Sequence, residues 1–206
     1  ARAGGLNFAF MCIFVPVLHQ KTGDSLEVAD AHIDRLGQLV ANHPDKFKIV
    51  TSAAEVLKRA DGPQVLLAMG MINGAPIGND LERLRYFYKR GIRYIALAHS
   101  RPNQLSDSSF AGESLWEGLS PFGKDVVVEM NRLGMLVDLS HLSDDTMRDA
   151  MNIAKAPIIY SHSSARTIGN HPRNVPDDIL PLVRNNGGVI MVNFYSEFIV
   201  PEAAIR

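Results

Sequence analysis

From residue 65 onward, uninterrupted apolar runs alternate with stretches of helical period. The runs are "VLLAMGM" (65–71), "IRYIALAH" (92–99), "MLVDLSH" (135–141), "APIIYSH" (156–162) and "GVIMVNF" (188–194). Between them lie "DLERLRYFYKRG" (80–91), with Leu81, Leu84, Phe87 and Tyr88 at helical spacing, then "SPFGKDVVVEMNRLG" (120–134), "SDDTMRDAMNIAK" (143–155) and "PDDILPLVRNNG" (176–187), the last with Pro181 inside it. Ser120 and Ser143 suit N-caps, Pro121 a first helical position and Gly134 a C-terminal stop. Strands that are apolar throughout and separated by helices point to a parallel sheet covered on both faces. The first third fits with less regularity, as a strand over 8–17 and helices over 25–42 and 51–62. Six strands are expected in all.

Two closures are compatible with this pattern. An open doubly wound sheet gathers its chemistry at one switch point, whereas a (β/α)8 barrel spreads it along the C-terminal rim of the strands. Here His99, His141, His162 and Asn193 stand at the ends of several runs. No glycine-rich phosphate loop follows any strand. The barrel fits better, but six strands do not close one, and the 206 residues fall short of the roughly 250 usual for that fold. The expectation is an α/β (β/α)8 TIM-type barrel that is incomplete, with about six of eight strands, forming one partial domain over residues 1–206.

Composition excludes several classes. Hydrophobic residues make up 46% and charged residues 21%, with a formal net charge of −1. No basic stripe suits nucleic acid. The apolar run Phe8–Leu18 is too short to span a bilayer and does not read as a signal peptide; no compartment is legible. A single cysteine, Cys12, rules out an internal disulfide and a cysteine-rich metal site, and is expected to be a small buried hydrophobe.

The chain has 7 histidines. His19, His32, His43 and His171 fall in loops or on a helix and read as ordinary solvated side chains. His99, His141 and His162 differ because each closes an apolar run, which places all three on one rim. Neutral imidazole is a common ligand of Zn²⁺. A hydrolytic centre also needs a carboxylate, and a two-metal centre needs one that bridges. Asp138 sits three residues before His141; by the period of two it faces away and suits a supporting or packing role.

The stretches "GIRYIALAHS", "GLSPFGKDVVVEMNRLGMLVDLSHLSDDT", "APIIYSHSSAR", "PRNVPDD" and "GGVIMVNFY" resemble the renal or membrane dipeptidases, the zinc dipeptidases of peptidase family M19. The resemblance covers nearly the whole chain. It implies a (β/α)8 barrel carrying two zinc ions and hydrolysing dipeptides. It further implies that His141 in "DLSH" and His162 in "YSHSSA" ligate the same zinc, that His99 in "LAHS" contacts substrate, and that Arg173 in "PRNVPDD" binds the substrate carboxylate. His171 matches no ligand.

The same resemblance exposes three departures. The family's His-x-Asp pair lies on a first strand that precedes this chain. Its catalytic aspartate lies on a last strand beyond Arg206. Where the family reads Gly-Met-Glu-Asn-Gly, this chain reads "GMING" (70–74), so the glutamate that bridges the two metals falls on Ile72. Asn73 is adjacent but is expected to point elsewhere. The expectation is therefore a dipeptidase-like chain with impaired chemistry and at most a weak single zinc site. The alternatives are a non-catalytic protein that binds peptides or other carboxylates, or a gene fragment. The two absent strands would be neighbours, so strands 8–17 and 188–194 are expected to flank one open wedge and to favour homo-oligomers.

Overall fold

A computed structural model describes residues 1–110, 112 and 114–200. Its strands are β1 (Phe8–Phe14), β2 (Phe47–Ile49), β3 (Val65–Ile72), β4 (Ile92–Ala96), β5 (Leu136–Asp138), β6 (Ile159–Tyr160) and β7 (Val189–Ile190). Helices α1 (Val17–Thr22), α2 (Ser25–Asn42), α3 (Ala53–Arg59), α4 (Leu81–Lys89), α5 (Pro121–Leu133), α6 (Asp144–Ile153), α7 (Leu180–Asn186) and α8 (Ser196–Ile199) separate or follow them.

The strands form one sheet in the order β1-β3-β4-β5-β6-β7, and every pairing is parallel. The six expected strands make up this path. A seventh, β2, was not anticipated; it pairs with Val65–Leu67 of β3, while β1 takes the other edge of that strand.

β3 shows why its run is apolar on both faces. Val65, Leu67, Met69 and Met71 join the core shared with the helices, alongside Ile33, Leu84, Phe87, Val126 and Met147. Leu66, Ala68 and Ile72 face the other way. Full burial of such side chains contributes about 1.5–3 kcal/mol each. On the inner face, Ile72, Tyr94, Ala96 and Ile159 form one cluster, joined by Phe10, Leu136 and Met191. Phe10 lies on the first strand of the path and Met191 directly follows the last. Both reach the same cluster only because the sheet curls, and among the described residues no pairing joins β1 to β7. The fold is thus an incomplete (β/α)8 barrel. Gly70 is required inside it: a Cβ there would stand 1.8 Å from the Tyr94 ring.

The helix boundaries follow local chemistry. Ser120 Oγ accepts the Gly123 amide at 2.8 Å, and Gly134 closes α5 at φ 74°. Ser143 Oγ accepts the Thr146 amide and starts α6. Pro181 is not internal to its helix, because α7 begins at Leu180 and the proline occupies the first turn, where no amide donor is needed. β1 stops at Phe14 rather than running to residue 17, since Pro16 precedes α1 and cannot donate to a ladder. Cys12 is exposed on β1 rather than buried, because that strand borders the open side of the barrel.

Candidate metal and substrate site

The runs expected to end in histidine stop earlier as strands. β5 ends at Asp138 and β6 at Tyr160, and the histidines stand on the loops just beyond. The cause is a side chain. Asp138 is fully buried, and its Oδ1 accepts the amides of Ser140 and Ser161, each at 3.0 Å. Those amides bond to a carboxylate instead of extending the ladder, so the chain turns at the rim.

His141 takes a left-handed backbone, φ 76°. This is uncommon for a residue with a Cβ and costs on the order of 1–3 kcal/mol, which surrounding contacts must offset. Its carbonyl accepts Ser109 N–H at 2.8 Å. His162 is held through its amide, which donates to Ser140 Oγ at 3.1 Å, and through its ring. His162 Nδ1 lies 2.7 Å from Ser161 Oγ, which itself donates to Asp138 Oδ2 at 2.5 Å. The result is convergence: His141 Nε2 and His162 Nε2 are 2.8 Å apart.

His99 follows β4 and packs its ring 4.2 Å from that of His141 and 4.8 Å from Phe14. Its Nδ1 is buried without a hydrogen-bond partner among the described residues. Arg173 is fully buried, yet among the described residues only Nη2 finds an acceptor, the His162 carbonyl at 3.2 Å. Nε and Nη1 are buried and have no partner among the described residues. The guanidinium carbon lies 5.9 Å from the Phe110 ring centroid and 5.4 Å from that of Phe198. His99, Phe110, His141, His162, Arg173 and Phe198 together line one cleft of about 500 Å³.

His171 is half-buried rather than a solvated loop side chain. Its ring lies 4.5 Å from Phe198 and 5.9 Å from Phe110, and its Nδ1 accepts the Arg173 amide at 3.1 Å. It shapes the segment that presents Arg173, a role its place before Pro172 did not signal.

The electrostatics of the cleft keep the imidazoles neutral. Burial first, and the Arg173 charge second, push His99 and His162 down to about 4 and His141 lower still. Burial also pulls Arg173 down to about 10, so it stays a cation at neutral pH. Neutral imidazoles are the form that ligates a metal, and a buried guanidinium with idle donors is suited to an anion.

The fit to two bridged metals is only partial. Two imidazole nitrogens converge as the arms of one metal would, but among the described residues no group of three or more His, Cys, Asp and Glu could hold an ion. Ile72 ends β3 pointing into the barrel, packed with Tyr94, Ala96 and Ile159, and shares a second cleft with Ser161 and His162. An isoleucine there can neither ligate nor bridge. Asn73 does not substitute: its φ is 81°, and its side chain bonds Val15 O, Ala75 N and Asn103 Nδ2, away from the histidines.

Comparison with known proteins agrees with this architecture. The family model for membrane dipeptidase (peptidase family M19) matches residues 1–206. An uncharacterized dipeptidase of Schizosaccharomyces pombe is 41% identical over 169 residues, covering 82% of this chain and 41% of its own length. Dipeptidase tcpJ of Claviceps purpurea is 40% identical over 162 residues, covering 79% of this chain and 38% of its own. Among solved structures, the probable dipeptidase PvdM of Pseudomonas aeruginosa superposes with a TM-score of 0.90 at 28% identity, over 98% of this chain and 54% of that one. A metallopeptidase of Rhodobacter sphaeroides, solved with a phosphinate mimic of the dipeptide L-Ala-D-Ala, gives 0.86 at 27% identity, over 96% of this chain and 64% of that one. The chain thus spans about two fifths of these curated relatives. Among the described residues, no helix is long and apolar enough to cross a membrane. This chain belongs to peptidase family M19, the membrane dipeptidases.

Proposed function

We propose that this chain is the dipeptide-binding body of an M19 metallopeptidase, carrying one imidazole pair of the metal centre and lacking the carboxylate that would bridge two metals. The observation that carries the reading is that His141 and His162, with their Nε2 atoms 2.8 Å apart, line one cleft with Arg173, whose Nε and Nη1 have no acceptor among the described residues. His141 and His162 would hold a zinc ion, which when bound polarises a carbonyl and lowers the pKa of a ligated water.

The residues of this chain then divide the remaining work. Arg173 binds the C-terminal carboxylate of a dipeptide through charge-assisted hydrogen bonds from its buried guanidinium, whose planar shape suits a carboxylate. Fixing that end limits productive substrates to short peptides. His99 stands against His141 and is neutral at pH 7, so its ring orients the scissile carbonyl as a hydrogen-bonding group without adding charge. Phe110 and Phe198 flank Arg173 and keep water from the pair it forms.

Ile72 sets the limit on activity. Catalytic zinc ordinarily has three protein ligands, and the described residues bring together two. Zinc-dependent turnover of a simple dipeptide is therefore expected to be weak or undetectable for the chain alone. Efficient hydrolysis that a chelator abolishes would overturn this. A second reading, favoured by Ile72, is a carboxylate-binding protein without catalysis. Isothermal titration that detects dipeptide binding with no cleavage on prolonged incubation, in a protein already saturated with zinc, would select it.

A further inference from the structure

The two imidazole arms are not held alike, and the difference lies behind His162. Asp138, 0% exposed, places Oδ1 on the amides of Ser140 and Ser161 and Oδ2 on the Ser161 hydroxyl. Ser161 Oγ spends its only proton on Asp138 at 2.5 Å, so at His162 Nδ1, 2.7 Å away, it can only accept. The geometry points to Asp138 and Ser161 as positioning residues that fix His162 as the Nδ1–H tautomer and leave the Nε2 lone pair facing the cleft. This rests on the reading of His141 and His162 as metal ligands.

The other arm follows from the same network. If His162 Nε2 carries no proton, the 2.8 Å contact is a bond donated by His141 Nε2–H. His141 Nδ1 is then a bare acceptor, which agrees with its burial without a partner among the described residues, since an orphaned acceptor is better tolerated than an orphaned N–H. His162 is thus the preset arm, and His141 must give up its cleft-side proton before it can ligate. Hydrogen bonds of this kind to a ligand's second nitrogen commonly set tautomer and ring orientation, and losing one costs about 10–100-fold in metal affinity.

Asp138→Asn makes a sharp test, because the direction of its amide is forced. Oδ1 must stay on the two backbone amides, so the new NH2 replaces Oδ2 and donates to Ser161 Oγ. The serine proton then turns to His162 Nδ1, and the imidazole carries its own proton on Nε2, the atom meant for metal. Long-range ¹H–¹⁵N NMR of the metal-free full chain at pH 7.5, with His162 assigned through His162→Gln, is expected to show Nδ1–H in the parent and Nε2–H in Asp138→Asn. Ser161→Ala, which leaves both backbone bonds to Asp138 intact, is expected to give a mixture of the two tautomers. Competition with a zinc chelator should show affinity lowered about 10–100-fold by Asp138→Asn. A parent protein with Nε2–H on His162, or a Ser161→Ala protein that keeps pure Nδ1–H, would overturn the inference. The outcome is separable from the metal assignment: correct tautomers in a chain that binds no zinc would refute the assignment and leave the relay standing.

Discussion

His141 Nε2 stands 2.8 Å from His162 Nε2, while Ile72, on the neighbouring inner face, packs its side chain against Tyr94, Ala96 and Ile159. Two imidazoles therefore meet beside an apolar wall where, on the proposed reading, an M19 barrel carries a bridging carboxylate. Substituting Ile72→Glu in a chain extended to the full barrel should raise bound zinc, measured by atomic absorption after dialysis, toward two ions per chain. In the 206-residue chain the same change should raise affinity while leaving stoichiometry at or below one. Unchanged metal content in the extended chain would show that Ile72 does not occupy the bridging position.

Arg173 is a buried cation with two donors that find no acceptor among the described residues, which makes its contribution measurable without catalysis. Hydrogen bonds to charged groups contribute about 1.5–3 kcal/mol, so Arg173→Gln should weaken dipeptide binding about 10–150-fold in calorimetry. A dipeptide with an amidated C-terminus should bind the parent and the variant alike. Equal losses for the free acid and the amide would mean that Arg173 shapes the cleft rather than binding a carboxylate.

Stability should depend on pH in two windows. His99 and His162 have folded-state values near 4, below the 6.5 of a free imidazole, and His141 lies lower. Between those values the unfolded chain binds protons that the folded chain refuses. Stability is thus fully present above pH 6.5 and falls as pH drops from 6.5 toward 4. Glu129, held at about 2 chiefly by hydrogen bonds from Arg132 and then Arg85, contributes above pH 4.5 and is lost only as pH falls toward 2. Urea midpoints measured without metal should decline between pH 7 and 4.5, and less so in His141→Gln. A flat profile across that interval would contradict the burial of these rings.

The loop that carries the site leans on a tightly placed glycine. A Cβ on Gly123 would lie 2.0 Å from the carbonyl oxygen of Leu105, which is backbone and cannot rotate away. Gly123 also donates to its own cap, Ser120 Oγ. Gly123→Ala should therefore destabilise the chain by about 1–3 kcal/mol or more, despite alanine's better helix propensity. Thermal unfolding that shows no loss would require the loop at Leu105 to shift without cost.

What the sequence disclosed and what it withheld divide along physical lines. The runs around β3 and β4 were legible because they are buried on both faces, that around β1 because its run is apolar throughout, and helices α5 and α6 because their serine N-caps, with Gly134 closing α5, act locally. The short β2 was not, since Phe47–Ile49 offers only three residues, one of them Lys48. The shortness of β5 and β6 was hidden for a different reason. Their ladders end because Asp138 draws the Ser140 and Ser161 amides to itself, a tertiary event with no periodic signal. The period of two also lost its force at that point, because the strand stops at Asp138 and His141 adopts positive φ. At the site, the apolar runs placed His99, His141 and His162 on one rim and the family resemblance added Arg173, and the structure gathers all four in one cleft. Nothing in the sequence hinted that His171 would cradle the Arg173 backbone, because that contact depends on how one loop folds back on itself.

The open side of the barrel leads to the last prediction. β1 and β7 end the sheet, and each presents an unpaired edge among the described residues. The surface beside them is apolar: Val189 is 56% exposed, Phe194 87% and Phe14 36%. Unpaired parallel edges flanked by exposed apolar side chains recruit further strands, from the rest of a longer chain or from another copy. The 206-residue chain expressed alone should therefore self-associate, with a weight-average mass in sedimentation equilibrium that rises with concentration. Val189→Lys puts a charge on the β7 edge and should shift the equilibrium toward monomer without lowering the urea midpoint. A parent chain that stays monomeric at high micromolar concentration would mean that the wedge is already satisfied within one molecule.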